Sequence, residues 1–312
     1  MSKVGGKLIH SIRRGKFLLV TIPDKWNQFT IEGIFKDYWQ VPKGLIHEWR
    51  MGKEVFVNNQ FRSWNSSLKA GECIQIPIFT EEIEVSVHPS DLQISILYED
   101  EHVLIANKPA GLDTHPSSPD QVQSLLNGAA YHLFAEGRPG MIKHIHRLDR
   151  DTTGAVLFAK NRLAGSMLDK MLEDRKIKRT YVALCEGILA KNQGTISEKI
   201  GRDRHHATRR RVSPTGQTAV THYQVLRRYP KKKLSVAKCS LESGRTHQIR
   251  VHFSHIGHPL AGDSLYGGKP VYPRQALHAY KIEFIHPITE ETIVCRAPFL
   301  DNPPIFPDIH LP

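Results

Sequence analysis

His146-Arg147-Leu148-Asp149-Arg150-Asp151-Thr152-Thr153-Gly154, followed at once by Ala155-Val156-Leu157-Phe158-Ala159-Lys160, is a polar loop that runs into an apolar strand. The apolar run has the length and composition of a buried strand. A loop entering a rigid strand holds a reactive side chain in a fixed geometry. Asp149 sits between two guanidiniums, which keep a carboxylate ionised and attract a polyanion. The residues alone leave two readings of Asp149 open, an ion-paired loop residue and a catalyst. Asp151 is the other acid in the loop, but a spacing of two in a loop sets no carboxylate distance.

Composition narrows the partner. Across 312 residues, 43 Lys and Arg stand against 31 Asp and Glu, a net charge of +12 that favours nucleic acid over an anionic membrane surface. The basic groups also cluster: Lys199 to Arg211 carries Arg202, Arg204, His205, His206, Arg209, Arg210 and Arg211. Such density points to phosphate contact, with affinity that falls steeply as salt rises. No apolar stretch is long enough to span a bilayer. Phe17-Leu18-Leu19-Val20 is too short for a signal peptide. The four cysteines are scattered, and three lie in strand-like runs, as reduced packing residues of a cytoplasmic protein do.

Other chemistries find little support. His247, His252, His255 and His258 crowd one stretch, but none of them shows the i,i+4 spacing of a helical zinc motif. There is no nucleophile elbow and no Gly-rich phosphate loop, so the expectation is an activity without metal or cofactor.

Along the chain, Gly52–Asn59 reads as turn, short strand and turn, and Leu68–Ile76 as an edge strand. Strands are expected near 94–98, 103–106, 181–185, 221–226, 234–239, 282–285 and 292–295. A helix is expected through Val122, Leu125, Leu126, Ala129 and Leu133 with Asp120 as its N-cap, and another through Leu163, Met167, Leu168, Met171 and Leu172. Thr246 is the expected cap of a third helix, carrying Ile249, Phe253 and Ile256. Strands outnumber helices without regular alternation, which predicts an α+β fold with a mixed, mainly antiparallel sheet.

The chain resembles the RluA-type pseudouridine synthases over roughly residues 97–298, in five ordered blocks. HRLDRDTTGAVLFAK is similar to that family's HRLDxxTSGxxxxAK, with Thr153 at the usual Ser. Tyr98-Glu99-Asp100 with Lys108-Pro109-Ala110-Gly111, Lys178–Ala183, Gly244–His252 with Gly257–Asp263, and Leu277-His278-Ala279 supply the other blocks. The resemblance implies an RNA uridine isomerase. In it Asp149 is the catalytic carboxylate and Arg245 its ion-pair partner. Tyr181 stacks on the target base and handles a proton, Leu277 packs on the other face, and Arg147 fills the space left by a flipped uridine.

Met51–Asn59 and Leu68–Glu72 resemble an S4-like RNA-binding domain, from which the chain departs at Pro42-Lys43, where Ser-Arg is usual. The implied organisation is an extension at 1–28, the small α/β S4-like domain at 29–80, a linker at 81–93, the catalytic domain at 94–300 and a Pro-rich tail at 301–312. The expected substrate is ribosomal RNA, with transfer RNA as the alternative, and nothing in the sequence asks for more than a monomer. Two rivals come from other classes: a silent RNA-binding or ribosome-assembly protein, and a carboxylate- or metal-dependent hydrolase.

Overall fold

Thr153–Ala159 is buried along its whole length, and both of its faces are covered. The computed structural model describes residues 9–79, 87–138 and 140–306. In this strand Val156 and Phe158 point into one hydrophobic cluster, while Ala155, Leu157 and Ala159 point into a second on the opposite face. A strand covered on both faces reads as a continuous apolar run because neither side of the pleat meets water. Its neighbours are Val103–Lys108, antiparallel, and Leu277–Ile285, which it meets in parallel at His278 and Ala279. That meeting requires glycine: Gly154 has φ +117, and a Cβ there would lie 2.3 Å from the Ala279 carbonyl oxygen.

The sheet built around it has ten strands. The main path runs Gln193–Ser197, Val220–Tyr229, Leu234–Leu241, Lys178–Glu186, Leu277–Ile285, Thr153–Ala159, Val103–Lys108 and Ser95–Glu99. Thr292–Arg296 pairs with Leu277–Ile285, and Lys143–His144 with Thr153–Ala159. All the pairings are antiparallel except the short parallel contact at Thr153 and Gly154, so the fold is the mixed, mainly antiparallel α+β type that the sequence predicts.

Few helices flank the sheet. Arg162–Glu173 buries Leu163, Ala164, Gly165 and Leu168, and Asn161 caps it by accepting the Ala164 N–H at 2.9 Å. The expected cap Asp120 is replaced by Ser124: the helix runs Leu125–Ala135, and Ser124 Oγ accepts the Asn127 N–H. Val122 is exposed, outside the helix. The third helix, Gln248–His255, begins after His247, which is left-handed at φ 59, so Thr246 is not its cap.

The front unit has a sheet of its own, ordered Ser11–Arg14, Phe17–Thr21, Cys73–Pro77, Phe56–Val57 and Gln60–Phe61. Two expectations are corrected here. Residues 11–21 belong to this unit rather than to an extension, since Gly15 turns the chain and Leu18 and Val20 alternate into the core. Cys73–Pro77 lies in mid-sheet, not at an edge. Trp26, Trp39, Trp49, Trp64 and Phe35 fill the core, and Leu163 and Ile288 of the larger unit complete it. The two units therefore share an apolar seam, which Arg162 clamps to Glu48 at 2.9 Å and Lys25 to Glu290.

Residues 81–86 of the expected linker lie outside the described residues, while Val87, still in that linker, already packs on the large unit's core. The expected tail also needs correction. Asp301 binds Arg274, and Ile305 and Phe306 are buried, so the large unit continues past residue 300. Pro307 and beyond lie outside the described residues.

Candidate active site

The Asp149 loop is pinned from beneath by buried polar groups. Lys108, fully buried at the end of its strand, donates its three ammonium protons to the carbonyls of Pro109 (2.9 Å), Leu112 (2.6 Å) and Arg150 (2.6 Å). Burial pushes its pKa down to about 7, against the pull of Asp151, Asp149 and Asp113. Thr114 accepts the Leu148 N–H at 3.0 Å and donates to the Leu148 carbonyl at 3.1 Å. Arg274 donates to the Asp151 carbonyl and to Thr153 Oγ1. Thr153 in turn bonds His278 Nδ1 at 2.7 Å, a role that a serine hydroxyl would also serve. With its backbone held at several points, the loop presents Asp149 to the cleft, beside Arg147 and Leu148.

Asp149 is one-fifth exposed, and its Oδ2 accepts a hydrogen bond from Arg250 Nη1 at 3.1 Å. Arg250 also holds Asp263 through Nε (2.7 Å) and Nη2 (2.9 Å), a bidentate pair that fixes the guanidinium plane. Burial opposes the charge on Arg250, but its two carboxylates outweigh that and raise its pKa. The expected partner Arg245 is thus corrected to Arg250. Arg245 lines the same cleft, with its Nε on the Thr218 carbonyl at 3.2 Å. The reason is backbone geometry: the left-handed turn at His247 leaves Arg245 outside the helix, while Arg250 sits on its buried face. Asp151 is turned toward the Gly111 N–H, so it makes no carboxylate pair with Asp149.

Above Asp149 opens a cleft of about 550 Å³. Tyr181 forms one wall, 4 % exposed, at a bulge where the pairing of Lys178–Glu186 with Leu277–Ile285 shifts register. A bulge re-aims the side chain it carries. Burial raises the Tyr181 pKa, with Arg179 beside it pulling the other way. Leu277 lies on the neighbouring strand opposite Ala183, and it too lines the cleft. Arg147 stands exposed at the rim. The structure therefore brings Asp149, Tyr181, Leu277, Arg147 and Arg245 to one cavity.

The basic segment forms a small two-stranded hairpin, Ile200–Arg202 with Arg210–Val212. Arg202, Arg204, Arg209 and Arg211 are exposed, whereas Arg210 is half-buried and its backbone N–H donates to Tyr266. Lys108, Arg250, Asp263, Arg274 and Tyr266 carry no sequence signal that marks them individually. Lys108 and Arg250 lie inside quoted motifs, but only the fold shows which of a motif's cations turns inward.

The chain is similar to known proteins along most of its length. The family described as RNA pseudouridylate synthase matches residues 102–255, and the RluD ribosomal pseudouridine synthase N-terminal domain matches residues 18–74. The chain is 46 % identical over 288 residues to the uncharacterized RNA pseudouridine synthase YhcT of Bacillus subtilis, covering 92 % of this chain and 95 % of that one. It is 37 % identical to ribosomal large subunit pseudouridine synthase D of Neisseria meningitidis serogroup A, over 81 % of this chain and 71 % of the relative. Human RNA pseudouridylate synthase domain containing 1 superposes with a TM-score of 0.56 at 26 % identity, covering 67 % of this chain and 85 % of that one. The protein belongs to the RluA-type RNA pseudouridine synthases, isomerases that here carry an RluD-type N-terminal domain.

Proposed function

We propose that this chain isomerises uridine to pseudouridine in large-subunit ribosomal RNA, with Asp149 as its catalytic carboxylate. One observation carries the reading: Asp149, paired to Arg250, is presented to a cleft whose walls are Tyr181 and Leu277. The ribosomal substrate rests on the relatives named for ribosomal large subunit activity and on the matched N-terminal domain.

The chemistry follows from the groups present. The bond from uracil N1 to ribose C1′ breaks, the base rotates, and C5 bonds to C1′; N1 gains a proton as C5 loses one. The carboxylate acts at the ribose, as nucleophile at C1′ or as base at C2′, and either route needs the anion that Arg250 stabilises. Tyr181 stacks on the base, and its hydroxyl relays the proton that C5 loses, giving up its own proton toward N1 as it takes that one, while Leu277 closes the other face. Arg147 enters the gap left by the flipped nucleotide, where a guanidinium stacks and hydrogen-bonds, offsetting part of an unstacking cost of roughly a few kcal/mol. Exposed Arg202, Arg204, Arg209 and Arg211 bind phosphate. The front unit supplies a second RNA contact, and the substrate places the protein in the cytoplasm.

The test uses large-subunit ribosomal RNA tritiated at uridine carbon 5. Wild type should release tritium and Asp149→Ala should release none. Equal release by both overturns the assignment of Asp149; release from transfer RNA alone moves the substrate to the alternative class.

A further inference from the structure

Asp149 has a second neighbour, at its other carboxylate oxygen. His247 Nε2 stands 3.9 Å from Asp149 Oδ1, and His247 Nδ1 lies 2.7 Å from the Tyr266 hydroxyl. That hydroxyl also accepts the backbone N–H of Arg210, at 2.9 Å, from the basic hairpin. We propose that Tyr266 and His247 are positioning residues that tie the RNA-binding hairpin to the catalytic carboxylate, which deepens the pseudouridine synthase reading and rests on it.

Proton accounting gives the direction of the relay. A backbone amide can only donate, so the Tyr266 oxygen is an acceptor toward Arg210 and keeps its own proton free. The relay gives that proton to His247 Nδ1, the nitrogen 2.7 Å away, which is then unprotonated. In a neutral imidazole the proton consequently sits on Nε2, the nitrogen facing Asp149. The charges around His247 are Asp149, Arg250, Asp263 and Arg210, and burial together with the two arginines outweighs the acids and lowers its pKa. His247 is therefore neutral at neutral pH, and its Nε2–H is an oriented donor rather than a competing cation.

The surroundings suit such a device. Tyr266 is 4 % exposed and packs with Ile200 of the hairpin and Val251 of the helix. Ser254 Oγ donates to its carbonyl at 2.8 Å. The guanidiniums of Arg250 and Arg209 lie over its ring, at 4.9 and 5.8 Å from the centroid. One ring thus touches both the cation that holds Asp149 and a cation exposed on the RNA-binding hairpin. Arg250 holds Oδ2, and His247 faces Oδ1 across 3.9 Å. A closure of about 1 Å at the hairpin would bring the Nε2–H within hydrogen-bond reach of Oδ1.

Two readouts on the full-length protein test this. The first is the nitrogen NMR signature of His247, assigned by its loss in His247→Gln. The wild type should show the Nε2–H tautomer, and Tyr266→Phe should erase that preference. A wild-type Nδ1–H tautomer overturns the relay whatever the activity. The second is single-turnover tritium release from ribosomal RNA beside filter-binding affinity. Tyr266→Phe should slow release about tenfold, the effect of one lost hydrogen bond, with the dissociation constant within about twofold. His247→Gln, whose amide can stand in for Nε2–H, should be faster than His247→Ala. Tyr266→Phe combined with His247→Gln should be no slower than the slower single variant, since both act through one path. Multiplying losses, or a loss confined to affinity, overturns the proposal. If the wild type released no tritium at all, the functional reading would fall, while the tautomer would still decide the relay.

Discussion

Arg250 grips Asp263 with two hydrogen bonds, of 2.7 and 2.9 Å, and this pair aims its remaining nitrogen at Asp149. Asp263 is almost wholly buried, so its charge has no solvent to fall back on. Removing one partner of a buried pair leaves the other unpaired, at a cost of about 3–5 kcal/mol. Arg250→Met should therefore lose both stability and turnover: a urea midpoint lowered by an equivalent amount, and tritium release down at least about 100-fold. Arg245→Ala, by contrast, should keep the midpoint and weaken RNA binding by no more than about tenfold. Loss of turnover in Arg245→Ala with none in Arg250→Met would reverse the assignment.

Tyr181 combines a ring and a hydroxyl, and the two roles separate by mutation. Tyr181→Phe keeps the stacking face and removes the hydroxyl that would relay the proton. RNA affinity should stay within about twofold while isomerisation falls by about 100-fold or more, the usual worth of general acid–base catalysis. An affinity loss matching the rate loss would make Tyr181 a binding residue alone.

As pH falls below neutrality, buried histidines should be the first groups to erode stability. Burial pushes His146 and His102 down to about 3, and His278 and His144 down to about 4. An unfolded histidine titrates near 6.5. Between those values the unfolded chain binds more protons than the folded one, so stability rises with pH in that window and is lost as pH falls through it. Stability from urea denaturation should drop steadily from about pH 6.5 to pH 4, by roughly a few kcal/mol for each histidine that stays neutral in the folded state. A flat profile in that window would mean that these imidazoles are solvated.

The hairpin's outward cations and its inward Arg210 separate by mutation. Neutralising Arg202, Arg204 and Arg211 together should flatten the log–log salt dependence of RNA binding by roughly 0.7 to 0.9 per phosphate contact removed. Arg210 is left out because its backbone is bonded to Tyr266 and its Nε is buried. An unchanged slope would take this hairpin off the RNA.

Much of the large sheet was legible in sequence because a strand covered on both faces must be apolar throughout, as Thr153–Ala159 is. The loop bearing Asp149 was legible for the same reason, being the polar segment that feeds it. The choice between Arg245 and Arg250 was not, since it turns on the left-handed backbone of His247 and on Asp263, thirteen residues past Arg250. Helix starts were ambiguous where two capping residues lay close together, as Asp120 and Ser124 do. Ile305 and Phe306 were hidden because two apolar residues among prolines show no period, although they pack on the sheet.

Gly154 gives the sharpest structural test of the site's foundation. Its φ of +117 strains any L side chain, and a Cβ would stand 2.3 Å from the Ala279 carbonyl oxygen, in a backbone that cannot move without parting two strands. Those strands carry Thr153 and His278, whose hydrogen bond links the foot of the Asp149 loop to the strand bearing Leu277. Gly154→Ala should therefore cost more than an ordinary surface substitution, roughly 3 kcal/mol or more, and fold poorly at 37 °C. Gly15→Ala supplies the control. It also has positive φ, at 57, but nothing lies within 4 Å of its Cβ, so it should lose only about 1 kcal/mol. Equal losses at the two glycines would show that backbone conformation alone, and not the close approach of Thr153–Ala159 to Leu277–Ile285, accounts for the glycine beneath the catalytic loop.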